Sequence, residues 1–138
     1  MKQGIFVIAL FGIIIFLIGC ASQTQEQKVS ATNLDSFAKC LTGKGVRMYG
    51  SYICSACLAQ IKMFWGHDGS FKYIDYVECH PKGPNPQTDL CLKRDIKKTP
   101  TWIIEKDGVE IKRLEGYQIL EGLAEFSGCP IGGNNGKE

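Results

Sequence analysis

The order in which hydrophobic periodicity changes along this chain constrains its fold more than any other feature. Leu34, Phe37, Ala38 and Leu41 keep the i, i+3, i+4, i+7 spacing of a buried helical face behind a Thr32/Asn33 cap, and Gly43 stops the helix. Val46 to Tyr49 reads as a brief apolar strand ending at Gly50. Cys57, Leu58, Ile61, Phe64 and Trp65 make a second helical stripe, closed by Gly66. Phe71 to Val77 is rich in aromatic and β-branched residues, the composition of a central buried strand. Pro81, Gly83, Pro84 and Pro86 then impose a loop, after which Thr88 or Asp89 caps a short helix running to about Lys93. Thr101 to Glu105 and Val109 to Leu114 flank Lys106-Asp107-Gly108, a hairpin signal because Asp-Gly supplies the positive φ of a tight turn. Ile119, Leu120, Leu123, Ala124 and Phe126 form an amphipathic last helix. A βαβ unit followed by a ββα unit, behind an extra N-terminal helix, is an α/β fold with a central mixed sheet flanked by helices.

The ends do not belong to this domain. Ile5 to Ile18 is one uncharged apolar run directly behind Lys2. It is shorter than the roughly 20 residues a helix needs to cross a hydrocarbon core of about 30 Å, and fits a signal-peptide core better. The run closes on Leu17-Ile18-Gly19-Cys20, which resembles the lipobox of prokaryotic lipoproteins and implies cleavage before Cys20 and lipidation of its thiol. An ordinary signal peptide or an uncleaved anchor is the alternative; each places the rest of the chain outside the cytoplasmic membrane. The expected organisation is a lipoprotein leader over 1–19, a flexible tether over 20–32, one domain over 33–129 and a disordered tail over 130–138. The tether is polar and reaches on the order of 20 Å as a flexible coil. Lys2 is the only charged residue of the leader, so its removal lowers the formal net charge of +2 by one. Such near-neutrality argues against a nucleic-acid partner. A domain of this length holds one modest core.

Committing Cys20 to lipid leaves six of the seven cysteines, an even number suited to disulfides in an oxidising compartment. Six cysteines allow 15 pairings. Cys54-Ser55-Ala56-Cys57 stands where the first strand gives way to the second helix, so Cys54 falls at or near a helix N-terminus. Free N–H groups and the helix dipole there lower a thiol pKa and favour the nucleophilic thiolate. Cys57, one turn on, is spaced to resolve a mixed disulfide formed at Cys54. A structural disulfide or half of a zinc site is the competing reading of any CxxC, but metal knuckles usually sit in hairpin loops.

With these residues the chain resembles thioredoxin-fold oxidoreductases, and more narrowly the thioredoxin-like domain fused to bacterial and plant homologues of vitamin K epoxide reductase. The resemblance rests on Met48 to Cys57, Tyr73 to Cys79, Pro81 to Pro86 and Thr99-Pro100-Thr101-Trp102, in matching order from about Leu34 to Gly128. It implies that Pro100 is the family's cis-proline facing the redox pair, although an X-Pro bond is cis in only about 5–6% of cases. It also implies that Thr99 helps set the redox poise. Ile53 stands where such proteins often carry tryptophan, and Met48 where thioredoxin has a buried acid. Ser55-Ala56 lacks the histidine of strongly oxidising relatives, which leaves the direction of electron flow open.

The fused family also carries cysteines at the positions of Cys79 and Cys91, which bracket the Pro/Gly loop. A disulfide there would contribute about 3 kcal/mol on chain-entropy grounds, and a second redox pair relaying electrons to Cys54 and Cys57 is the alternative. Cys40 and Cys129 remain, and pairing them would staple the two ends of the domain. His80 beside Cys79 invites a metal reading, but a lone Cys-His pair in a Pro-rich loop is more often a surface turn; no metal and no cofactor are expected. Trp65, Trp102, Tyr49, Tyr73 and Tyr76 read as core or rim aromatics.

The sequence therefore points to a membrane-tethered, extracytoplasmic thiol-disulfide oxidoreductase acting on cysteine-containing exported proteins. The fused relatives imply the oxidising sense, with a separate quinone-linked membrane partner of the vitamin K epoxide reductase or DsbB-like type. The alternatives are an extracytoplasmic reductase or isomerase, as in cytochrome c maturation, and a non-enzymatic copper- or zinc-binding lipoprotein.

Overall fold

The first helix, α1, spans Ala31–Gly43 and buries Leu34, Phe37, Ala38 and Leu41. Its cap is Ser30, whose hydroxyl accepts from the Asn33 amide at 3.4 Å, rather than Thr32 or Asn33, so the helix starts slightly ahead of its apolar stripe. The computed structural model describes residues 30–132. The expected leader, the lipidation site at Cys20 and the body of the tether and tail lie outside those residues. Among the described residues no helix is long and apolar enough to cross a membrane.

Strand β1 (Val46–Gly50) leads into α2 (Ser55–Met63), β2 (Asp75–Glu78), α3 (Thr88–Lys93), β3 (Thr101–Lys106), β4 (Val109–Glu115) and α4 (Leu120–Ser127). The sheet order is β2-β1-β3-β4. Strands β1 and β2 are parallel, and both other pairings are antiparallel. This four-stranded mixed sheet with flanking helices and an extra N-terminal helix is an α/β, thioredoxin-like architecture. Asp107 and Gly108 turn the β3–β4 hairpin, both at positive φ (52° and 75°).

Two sequence expectations are corrected here. Phe71 to Tyr73 is not strand but part of a 3₁₀ turn over Ser70–Tyr73, and β2 lies at the edge of the sheet rather than in its centre. The aromatic content of the segment reflects packing of the turn: Phe71 meets Phe64, His67 and Tyr76 edge-on. In α2 the buried stripe is Cys57, Gln60 and Ile61, continued by Phe64, whereas Leu58 and Trp65 are about half exposed. The helix ends at Met63, and Trp65 and Gly66 leave it at positive φ, so Trp65 no longer shares its face.

Strand alternation divides the core in two. Val46, Met48 and Trp102 pack with α1, α2 and α4, while Tyr49, Val77 and Ile103 face Cys91 and Leu90 of α3. On the second face Glu105 receives hydrogen bonds from Nε and Nη2 of Arg94, each at 3.0 Å, from Arg47 at 3.4 Å and from the Tyr49 hydroxyl. Burial raises the Glu105 pKa, but these donors outweigh it and hold the carboxyl below its ordinary 4.5. A depressed folded pKa gives stabilisation that is present above the unfolded value and lost as pH falls through the folded one. Glu105→Gln is expected to cost about 2 kcal/mol at neutral pH, since it removes charge-assisted bonds while keeping shape. The deficit should shrink below pH 4.5 in urea titrations; a deficit that does not change between pH 7 and the acid limit would contradict it.

Candidate active site

The C-terminal end of β1 and the N-terminal end of α2 meet at the Cys54 to Cys57 turn. Cys54 is the N-cap of α2, with extended backbone, and its sulfur accepts from the Cys57 amide at 3.3 Å. An N-cap side chain occupies the point where the helix's unpaired amides converge. The Cys54 thiol also donates to the Thr99 carbonyl at 3.3 Å. This bond places the loop before β3 directly against Cys54, and within that loop Thr99 joins Pro100 through a cis peptide bond. The Pro100 carbonyl accepts from the Gly116 amide at 2.7 Å, tying this loop to the segment after β4.

The two thiols are chemically unequal. Burial works to raise the Cys54 pKa, but hydrogen bonds from Cys57, Thr99 and the Ala56 amide outweigh it and bring the pKa below the ordinary thiol value. Cys57 is fully buried, and desolvation first, then its bond to Cys54, pushes it up to about 12. Such a pair supports attack by Cys54 and later attack by Cys57 on the Cys54 sulfur. Iodoacetamide should therefore label Cys54 of the reduced protein with a midpoint below pH 9, whereas Cys57 stays unmodified. Equal labelling of both, followed by mass spectrometry across pH, would contradict this inequality.

In the sequence the only signal of Gln60 is a glutamine set within an apolar stripe. It is fully buried. Its Oε1 accepts from the Gln118 amide at 2.8 Å and the Trp102 indole at 3.4 Å, and its Nε2 donates to the Gln118 carbonyl at 3.0 Å. Helix α2 is thus fastened to β3 and to the segment entering α4. Tyr52, Ile53 and Leu58 are exposed about Cys54, and Tyr52 meets His80 edge-on.

The other four cysteines of the described residues are joined as Cys40–Cys129 and Cys79–Cys91, and Cys54 and Cys57 are free thiols. Among the described residues no three His, Cys, Asp or Glu side chains converge to hold a metal ion.

No protein-family model matches the chain. The thiol-disulfide oxidoreductase LTO1 of Arabidopsis thaliana is 37% identical over 112 residues, which cover 79% of this chain and 28% of that protein. The chain thus spans little more than a quarter of its relative's length. It is, over most of its own length, a homologue of a protein named as a thiol-disulfide oxidoreductase.

Proposed function

We propose that this domain exchanges disulfides with exported proteins, with Cys54 as attacking thiol and Cys57 as resolving thiol. The observation that carries the reading is the Cys54 sulfur at the cap of α2, bonded to the Cys57 amide and the Thr99 carbonyl. The homologue's name and the thioredoxin-like architecture support the same chemistry. In the oxidising sense, the Cys54–Cys57 disulfide accepts two electrons from a pair of substrate thiols, which leave as a disulfide. A depressed Cys54 pKa stabilises the reduced form and so favours that sense. The exposed Tyr52, Ile53 and Leu58 offer apolar contact to an extended substrate segment. Lipidation at Cys20 would hold the domain at the outer side of the cytoplasmic membrane or on the cell surface. A quinone-linked membrane partner of the vitamin K epoxide reductase or DsbB-like type would withdraw the electrons again.

The deciding experiment is the reduction potential of the Cys54–Cys57 couple, titrated with the other disulfides intact. A value between about −120 and −180 mV is expected, and one near about −270 mV would reverse the assigned direction and make the domain a reductase. Cys57→Ala in membranes should accumulate mixed disulfides at Cys54 with exported proteins and with the membrane partner; failure to trap the latter would remove that partner.

A further inference from the structure

The Thr99 carbonyl lies 3.3 Å from the Cys54 sulfur, so anything bulky that reaches the sulfur passes beside the loop before β3. A small disulfide needs only the sulfur, whereas a peptide disulfide must also lie along that loop. We propose that the buried side chain of Gln60 is a positioning residue that fixes this loop against α2, and so sets the preference of the site for peptide disulfides over small ones. This rests on the disulfide-exchange reading and adds a specificity determinant to it.

A closed circuit of hydrogen bonds holds the loop. It runs from the Cys54 thiol to the Thr99 carbonyl, through Pro100, and from the Pro100 carbonyl to the Gly116 amide at 2.7 Å. Two residues on, the Gln118 amide donates to Gln60 Oε1 at 2.8 Å, and the Gln118 carbonyl accepts from Gln60 Nε2 at 3.0 Å. Gln60 sits on α2 one turn past Cys57, and the helix leads back to Cys54 at its cap. The pairing of β3 with β4 ends at Thr101 and Glu115, and Gly116 turns the chain away at a φ of 86°. Beyond that point the Gly116 amide ties the segment to the loop and Gln118 ties it to the helix. The Lys98–Glu115 ion pair also bridges this region, but it is solvent-exposed and holds little.

The carboxamide is suited to this task in a way an apolar side chain is not. Gln60 is fully buried between Cys57 and Ile61 in the stripe of α2, where an unsatisfied amide would be costly. A carboxamide offers two donor hydrogens and two acceptor positions, and all four are used here. Besides Gln118, Oε1 accepts from the Trp102 indole at 3.4 Å and Nε2 donates to Met63 Sδ at 3.6 Å. Exchanging the oxygen and nitrogen would set an amide donor against both the Gln118 N–H and the Trp102 N–H, so a single orientation satisfies every partner. Bonding both backbone groups of Gln118 fixes that residue in direction as well as in distance. One side chain thereby joins α2, β3 and the segment that carries Gly116.

Without the carboxamide, Gln118 loses its tie to α2 while the bond between Gly116 and Pro100 remains. The loop and the segment are then free to shift together relative to Cys54. Cys54 keeps its bond from the Cys57 amide at 3.3 Å, and with it the reactivity that a small disulfide measures. What is lost is the fixed gap between the nucleophile and the loop, and a misplacement of about 1 Å is enough to cost a factor of ten or more in productive alignment.

Gln60→Met fills nearly the same volume without the amide's donors and acceptor. The full-length chain is assayed at pH 7 with a fluorescent peptide disulfide and, separately, with the aromatic disulfide of 5-thio-2-nitrobenzoate. The KM for the peptide is expected to rise roughly 10-fold, with its kcat and the rate with the small disulfide each staying within about twofold. A substitution that merely weakened the fold would slow both probes by one factor. That result, or an unchanged peptide KM, would overturn the proposal. Amide hydrogen exchange in the wild-type chain tests the clamp even if Gln60→Met does not fold. The Gly116 and Gln118 amides are expected to exchange within about tenfold of the β3 amides, and exchange faster than that would overturn the clamp. A wild-type chain that reacts with neither disulfide would instead overturn the disulfide-exchange reading.

Discussion

Cys54→Ser is expected to reduce disulfide exchange to the buffer background while leaving the fold intact. The serine hydroxyl keeps the N-cap role, because a hydroxyl accepts from helix amides as well as the sulfur does, so stability should change by less than about 1 kcal/mol. What is lost is the thiolate. A serine hydroxyl is not ionised at pH 7 and forms no disulfide, so neither attack nor a mixed disulfide is available. Cys57→Ser should behave differently: the first attack survives and the protein stalls as a stable adduct at Cys54. Turnover with a small dithiol reductant and a fluorescent peptide disulfide, alongside mass spectrometry of the adduct, checks both. Residual turnover in Cys54→Ser above one-tenth of wild type would mean that another thiol carries the exchange, with the Cys79–Cys91 pair the first to examine.

Removing the Cys40–Cys129 bond should give the largest loss of stability. The two residues are 89 positions apart, so the bond closes nearly the whole domain into one loop. On chain-entropy grounds that restricts the unfolded chain by about 4.5 kcal/mol, against about 3 kcal/mol for Cys79–Cys91 with its separation of 12. Cys129 is 2% exposed and Cys40 packs against the core beside it, so the double substitution Cys40→Ala/Cys129→Ala also removes buried sulfur. In a domain of this size each kcal/mol moves Tm by roughly 4–8 °C, which gives an expected fall of about 18–36 °C. Differential scanning calorimetry of both double variants tests the ordering. A smaller loss for the 40–129 pair than for the 79–91 pair would show that the unfolded chain already keeps its ends together.

Glu105 adds a pH-dependent part to this stability at acid pH, where the Cys57 thiol, pushed up to about 12, stays protonated. Acid sensitivity of the fold and ionisation of Cys57 should therefore be separable in one pH series.

The features legible in the chain are those governed by neighbours in sequence. The α1 stripe is a local repeat, and the Asp107-Gly108 turn needs two positive φ values that these residues tolerate. Cys54 falls at a helix cap because the strand and helix signals adjoin it on either side. By itself, then, the sequence determined the element order and the placing of the CxxC pair at a strand-to-helix junction. Aromatic content misleads at Phe71 to Tyr73, because such residues suit a buried turn as well as a strand, and only packing against Phe64 and Tyr76 selects between them. The edge position of β2, the burial of Gln60 against Gln118 and Trp102, and the meeting of Tyr76 with Glu78 beneath the Gly83 loop were decided by the tertiary structure alone. Each depends on groups distant in sequence, or on a cavity that other strands and loops enclose. A polar side chain shows in sequence as a donor or an acceptor, but whether it is buried and which partner satisfies it are properties of the assembled fold.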